Sequence, residues 1–203
     1  MANINIVDVG VGNLASLCSA LERLNISFKL CKRTNDFQDN SKIILPGVGA
    51  FGNFMKKLHE RKIDKLIIEK VDKKKSLLGI CLGFQILFSD STEYGNHKGL
   101  GLIKGRIKKI DSSKRVPHVG WNECVFNKKS EIFYNVKNNS DFYFLHSYFL
   151  ETYNKEEVIT YTNYGLKFPS SIQKQNVFGV QFHPEKSQYN GLQIIKKLYQ
   201  CLK

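Results

Sequence analysis

The chain has 203 residues, 42% of them hydrophobic, with 31 Lys and Arg against 18 Asp and Glu and a formal net charge of +13. That length fits one domain, residues 1–203, able to bury well over half of its unfolded surface. No run reaches the roughly 18–20 apolar residues of a membrane span, Met1-Ala2-Asn3-Ile4-Asn5 is unlike a signal peptide, and five scattered cysteines without a CxxC pair indicate neither a disulfide framework nor a metal site in a chain expected to be cytoplasmic.

In chain order, Asn3 to Val9 reads as a short apolar strand, and Val9-Gly10-Val11-Gly12-Asn13 as a turn. Leu14, Leu17, Cys18, Leu21 and Leu24 follow at helical spacing. Ser27 to Cys31 and Lys42 to Leu45 read as strands, the latter stopped by Pro46-Gly47. Helices are predicted from about Gly52 to Glu60 and from Ile63 to Lys73. Leu77 to Ile80 reads as a buried strand ending at Cys81, and Leu82 to Phe88 as a helix. This alternation argues a mostly parallel sheet with helices on both faces. The second half is richer in strands: Leu100 to Ile110, Glu123 to Phe126, Phe142 to Leu150, Val158 to Thr162 and Phe178 to Phe182. A helix from about Tyr189 to Leu202 closes the chain. The expected fold is α/β with an added antiparallel portion.

The densest basic runs, Lys70 to Lys75 and Lys104 to Lys109, abut element ends and carry no interleaved stacking aromatics. They read as solvated faces, so no nucleic-acid partner is expected; an acidic protein partner fits the charge better.

Gly79-Ile80-Cys81-Leu82-Gly83 has the form G-x-C-x-G between a strand and a helix, the cysteine counterpart of the G-x-S-x-G nucleophile elbow. A turn that tight needs glycine two residues to either side. It lifts the sulfur out at the carboxyl end of the sheet and sets it at a helix N-terminus, which favours a thiolate. Phe182-His183-Pro184-Glu185 follows an apolar strand, so His183 is placed at a strand end where active-site groups of open α/β sheets collect. Glu185 is positioned to fix the imidazole tautomer, completing a Cys-His-Glu set 102 residues apart in sequence. Ile43 to Gly49 is a strand running into a glycine-rich turn. A backbone N–H there, with that of Leu82, suits an oxyanion hole.

Together these motifs resemble the class I, triad-type glutamine amidotransferases, whose flavodoxin-like fold is expected here. More narrowly the chain is similar to the glutaminase subunits of imidazole glycerol phosphate synthase. Asp8 to Leu14, Pro46 to Phe51, Gly79 to Gln85 (with Phe84 where methionine is more usual), Pro117 to Asn122, Phe144 to Tyr148 and Phe182 to Ser187 carry that resemblance. It implies triad roles for Cys81, His183 and Glu185, and oxyanion amides from Val48 and Leu82. It implies glutamine binding by Gly49, Gln85, Glu93, Ser147 and Tyr148, with no cofactor. It also implies a heterodimer with a (β/α)8-barrel cyclase that receives ammonia, faced by Asn13, Trp121 and Lys186. Such a subunit would be slow alone, the Val48 peptide turning into the oxyanion hole only when the loaded partner is docked. Three alternatives stay open at this point: a paralogue supplying ammonia to another synthase, such as one amidating bacterial surface sugars; a stand-alone γ-glutamyl hydrolase or cysteine peptidase; and a catalytically dead binding subunit.

Overall fold

The computed structural model describes residues 3–11, 14–111 and 114–201. In chain order the elements are β1 (Ile4–Val7), α1 (Ala15–Arg23), β2 (Phe28–Cys31), β3 (Lys42–Leu45), α2 (Phe51–Glu60), α3 (Ile63–Asp72), β4 (Leu77–Ile80) and α4 (Leu82–Gln85). There follow β5 (Asp90–Ser91), β6 (His97–Lys98), β7 (Arg106–Lys109), β8 (His118–Phe126), β9 (Ser140–His146), β10 (Tyr148–Thr152), β11 (Val158–Asn163), β12 (Lys167–Lys174), β13 (Val177–Val180) and α5 (Gln188–Cys201).

One nine-stranded sheet runs β2-β1-β3-β4-β13-β12-β11-β8-β9. The first five strands pair in parallel and the rest antiparallel. This is the expected parallel sheet with an antiparallel extension, which adds four strands to the five parallel ones. A second, four-stranded sheet runs β10-β7-β5-β6.

Side-chain alternation splits the parallel strands between two cores. Ile44, Leu78 and Ile80 face the layer of α1 and α5, where Leu17, Leu21, Ile194 and Leu198 are buried. Ile43, Leu45 and Leu77 face α2 and α3, against Phe54, Leu58, Ile63 and Ile67. Each such side chain contributes about 1.5–3 kcal/mol on burial.

The antiparallel half departs from the sequence expectation in detail. Leu100 to Ile110 is a strand only at Arg106–Lys109. Before it, the amides of Leu100, Gly101 and Ile103 are spent on the carbonyls of Ile86, Phe88 and Leu87. The same bonds explain why the helix expected over Leu82 to Phe88 stops at Gln85: Leu87 and Phe88 switch to i−3 carbonyls as the turn tightens. Phe142 to Leu150 is two strands in different sheets, broken at Ser147, whose carbonyl accepts from Ile110. Lys167–Lys174 is a strand the sequence did not suggest, because Pro169, Ser170 and Ser171 argue against a central strand. The register slips there, so Thr160 faces Ser171 and Tyr161 faces Pro169, which leaves Ser170 as the extra residue of a bulge. The buried Thr160 hydroxyl bonds both serine hydroxyls, at 2.8 and 2.6 Å.

The sheet also curls. β9 lies four places from β13 in strand order, yet the His183 amide, just beyond β13, donates to the Tyr143 carbonyl of β9 at 2.8 Å. Phe142 and Phe182, stacked at 4.1 Å between centroids, fill the inside of that curl.

Candidate active site

β4 delivers Cys81 at its carboxyl end, in a conformation (φ 54°, ψ −108°) that side-chain-bearing residues rarely adopt. Such strain costs about 1–3 kcal/mol and persists only where the surroundings overdetermine it. Here the Cys81 amide donates to Val180 at 2.9 Å, and the Cys81 carbonyl accepts from Gln85 at 3.1 Å. The elbow glycines have a measurable reason. A Cβ on Gly83 would lie 1.7 Å from the Leu45 carbonyl oxygen, and one on Gly79 would lie 2.6 Å from the Gly83 carbonyl oxygen. Gly179, paired with Gly79 across β13 and β4, leaves room for the Phe84 ring, which a Cβ would meet at 2.4 Å. α4 is only four residues long, so the macrodipole invoked from the sequence acts over a single turn at most.

His183 Nδ1 lies 2.8 Å from Glu185 Oε1, with both side chains buried. A carboxylate can only accept, so Nδ1 carries the proton and Nε2 is left for chemistry. Nε2 is buried without a hydrogen-bond partner among the described residues. Burial alone pulls the imidazolium down, but the Cys81 sulfur and the Glu185 carboxylate outweigh it and push His183 up to about 10. The Ser187 hydroxyl locks this turn to the sheet, donating to the His183 carbonyl at 2.6 Å and accepting from the Tyr143 amide at 3.0 Å.

The sulfur opens into a cleft of about 510 Å³, within the range of small-molecule sites. Val48, Gly49, Leu82, Gln85, Glu93, Ser147 and Tyr148 all line it with Cys81. His183 and Glu185 sit behind the sulfur, beside Pro46, Gly47 and Val48. Glu93 caps α2 from a distance, accepting from the Phe51 amide at 2.7 Å, and burial raises its carboxyl above the usual range. Gln85 Nε2 donates to the Tyr148 carbonyl at 2.9 Å. The Leu82 amide is not free: it donates to the Gly47 carbonyl at 3.3 Å, because the turn after β3 lies directly against the elbow.

Of the residues placed at a partner surface, Trp121 is 47% exposed and Lys186 is exposed. Trp121 meets the Tyr143 ring edge-on at 6.1 Å, and the Lys186 ammonium lies 5.7 Å from the same ring. Asn13 lies outside the described residues. Sequence reasoning missed two groups at the sulfur. The thiol donates to the Leu145 carbonyl at 3.5 Å, and Gln181 Nε2 donates to the sulfur at 3.9 Å. A main-chain carbonyl leaves no sequence signal, but a glutamine ending the apolar run Val177 to Val180 is one.

A parallel sheet presenting a cysteine at a strained elbow beside a buried His–Glu pair, over a cleft of metabolite size, is the equipment of a cysteine-nucleophile enzyme. The sequence profile of the family described as "Glutamine amidotransferase class-I" matches residues 5–200. A Chlorobium chlorochromatii protein named "Imidazole glycerol phosphate synthase subunit HisH" is 45% identical over 192 residues, 94% of this chain and 96% of that one. A Moorella thermoacetica protein of the same name is 42% identical over 196 residues, 97% and 93% of the two chains. Among solved structures, "Structure of PurLQS from Thermotoga maritima" superposes with a TM-score of 0.79 at 21% identity, covering 100% of this chain and 99% of that one, a likeness of fold. The chain belongs to the class-I glutamine amidotransferase family and, within it, to the imidazole glycerol phosphate synthase subunit HisH proteins.

Proposed function

We propose that this chain is the glutaminase subunit of an imidazole glycerol phosphate synthase, hydrolysing glutamine and passing ammonia to a (β/α)8-barrel cyclase in histidine biosynthesis. The observation that carries the chemistry is Cys81 in a cleft whose wall holds Glu93, with the buried His183–Glu185 pair acting on its sulfur. The name shared by relatives covering nearly the whole chain favours the histidine pathway over a surface-sugar paralogue.

Glutamine enters with its ammonium toward Glu93 and its carboxamide over Cys81. The sulfur, as thiolate with His183 as imidazolium, attacks the carboxamide carbon, and the carbonyl electrons move to oxygen. Collapse of that adduct breaks the C–N bond, and the His183 proton leaves with nitrogen as ammonia. A γ-glutamyl thioester remains. Water then gives a proton to His183 and its oxygen to the acyl carbon. The C–S bond breaks, and glutamate departs with the sulfur restored. Glu185 holds the imidazole in the tautomer that both steps use.

The oxyanion needs amides from Leu82 and the Val48 turn, yet the Leu82 amide is spent on Gly47. One missing donor costs about 10²–10³ in rate. This supports a chain that idles alone and is completed when the docked partner moves the turn after β3. The outward row Val119, Trp121 and Val125 of β8, with Leu145 of β9, offers the partner an exposed apolar surface beside the cleft. The test is glutamine hydrolysis by this chain alone, with a barrel cyclase, and with cyclase plus its ribonucleotide substrate. Stimulation of about 10²-fold or more is expected; equal rates in all three contradict the proposal.

A further inference from the structure

We propose that Gln181 is a positioning residue for the nucleophile, and that it ends one arm of a hydrogen-bond network whose other arm starts at Asn122 on β8, the two arms meeting on the Tyr148 carbonyl. This rests on the reading of Cys81 as the nucleophile.

The direction of the chain follows from chemistry. The Tyr148 carbonyl can only accept, so His146 Nδ1, 2.8 Å away, must donate to it. Burial pushes His146 down to about 3 and His118 to about 4, so both rings are neutral and each keeps one proton. His146 Nε2 is therefore an acceptor, and His118 Nδ1, at 3.1 Å, donates to it. That leaves His118 Nε2 to accept from Asn122 Nδ2 at 3.4 Å. On the other side of the Tyr148 carbonyl, Gln85 Nε2 donates one hydrogen to it at 2.9 Å and the other to Gln181 Oε1 at 3.0 Å. The Gln181 amide cannot flip without losing that bond, so its Nε2 faces the Cys81 sulfur at 3.9 Å. Every link is a donor facing an acceptor, and the Tyr148 carbonyl, which accepts from both arms, joins them.

The chain is also rigidly housed. Gln181 has no exposed surface, and its backbone N–H donates to the carbonyl of the bulged Ser170 at 2.9 Å. The bulge in β12 thus sets the height of Gln181 below the sulfur. His118 is stacked between Tyr164 and Phe144, at 3.8 and 4.8 Å between centroids. A donor aimed at sulfur favours thiolate over thiol, whereas the Leu145 carbonyl on the other side favours thiol. Gln181 and the Leu145 carbonyl therefore hold the sulfur between a donor and an acceptor. Asn122 stands next to Trp121, so a partner pressing on β8 reaches the far end of the chain directly.

The experiment measures the pH dependence of Cys81 alkylation by a chloroketone analogue of glutamine in the isolated chain, alongside kcat and KM. His183, held by Glu185, acts on the same sulfur, and Glu93 and Lys109 line the same cleft, so all variants keep these four. Gln181→Leu should move the alkylation midpoint upward by about one pH unit and lower kcat about tenfold at neutral pH. Gln181→Glu, which aims negative charge at the sulfur, should move it further. His118→Phe keeps the stacking but removes the donor to His146; it should move the midpoint the same way by a smaller step, about threefold in rate at neutral pH. A midpoint unmoved in folded Gln181→Leu overturns the proposal. Should that variant not fold, an unmoved midpoint in His118→Phe overturns it. Failure of the wild-type chain to alkylate at Cys81 overturns the nucleophile reading itself, a different outcome from an unmoved midpoint.

Discussion

His183 is tied through its backbone amide to the Tyr143 carbonyl at 2.8 Å, and the ring of that same tyrosine packs edge-on against the exposed Trp121. The proposed general base is thus one residue away from the surface proposed for the partner. Mechanical linkage between docking and catalysis needs no longer path than this.

Trp121 is a large aromatic in an exposed row that also holds Val119 and Val125. Trp121→Ala should weaken binding of the barrel cyclase by about 2 kcal/mol, as truncation of a buried interface anchor does. The unfolding midpoint of the isolated chain should barely change, because the side chain is half exposed. Titration calorimetry with the partner and a urea melt check the two halves.

Glu185→Gln keeps the shape but cannot anchor the imidazole as a carboxylate does. Stimulated kcat should fall on the order of 10³–10⁴-fold with a small change in KM. The same pair gives stability a pH signature. His183 is raised from 6.5 to about 10, so its contribution is complete below the unfolded value and is lost as pH rises through the folded one. The stability gap between wild type and His183→Gln should therefore be larger at pH 6 than at pH 10. Urea melts at both values measure it, and a gap that widens with pH would contradict the sign.

Gly83→Ala places a Cβ 1.7 Å from the Leu45 carbonyl oxygen, a backbone atom that cannot step aside. Destabilisation of about 3 kcal/mol is expected, with glutaminase activity lost even at temperatures where the chain remains folded. Thermal unfolding and a stimulated glutaminase assay test this together.

Glu93 is buried at the amino end of α2, with its carboxyl raised by that burial. The proposed ammonium contact needs the ionised form. Glu93→Gln should raise KM for glutamine at least tenfold, by loss of a charge-assisted bond worth about 1.5–3 kcal/mol, with less effect on kcat. In the wild type, KM should rise as pH falls, and in the variant it should stay flat.

The sequence was most legible where one local feature dictates both structure and chemistry. Gly79 and Gly83 mark the elbow because a tight turn excludes side chains, and a Cβ at either position would clash with backbone. The apolar runs at Ile43 and Leu77 were legible as buried parallel strands for the same kind of reason. The antiparallel half was harder. Pro169 and the two serines disguised β12, since a bulge and a buried hydroxyl cluster settle their polar groups in ways no local pattern reports. Ser147 hid the change of sheet between β9 and β10, because the alternation continues through it. At the site, Gln181 was visible as a polar residue ending an apolar strand but had no partner until folding brought Cys81 and Gln85 to it. The Leu145 and Gly47 carbonyls could not be read at all, being main-chain atoms positioned by strands far away in sequence.

The central claim is that the Cys81 sulfur, carried on a strained backbone turn, attacks glutamine. Its most direct test is peptide mapping by mass spectrometry after inactivation with the chloroketone analogue, with and without competing glutamine. The account predicts one adduct, on Cys81, protected by glutamine and formed in proportion to activity lost. Full inactivation with the label on Cys18, Cys31 or Cys124, or a fully labelled Cys81 in a chain that still hydrolyses glutamine, would contradict it.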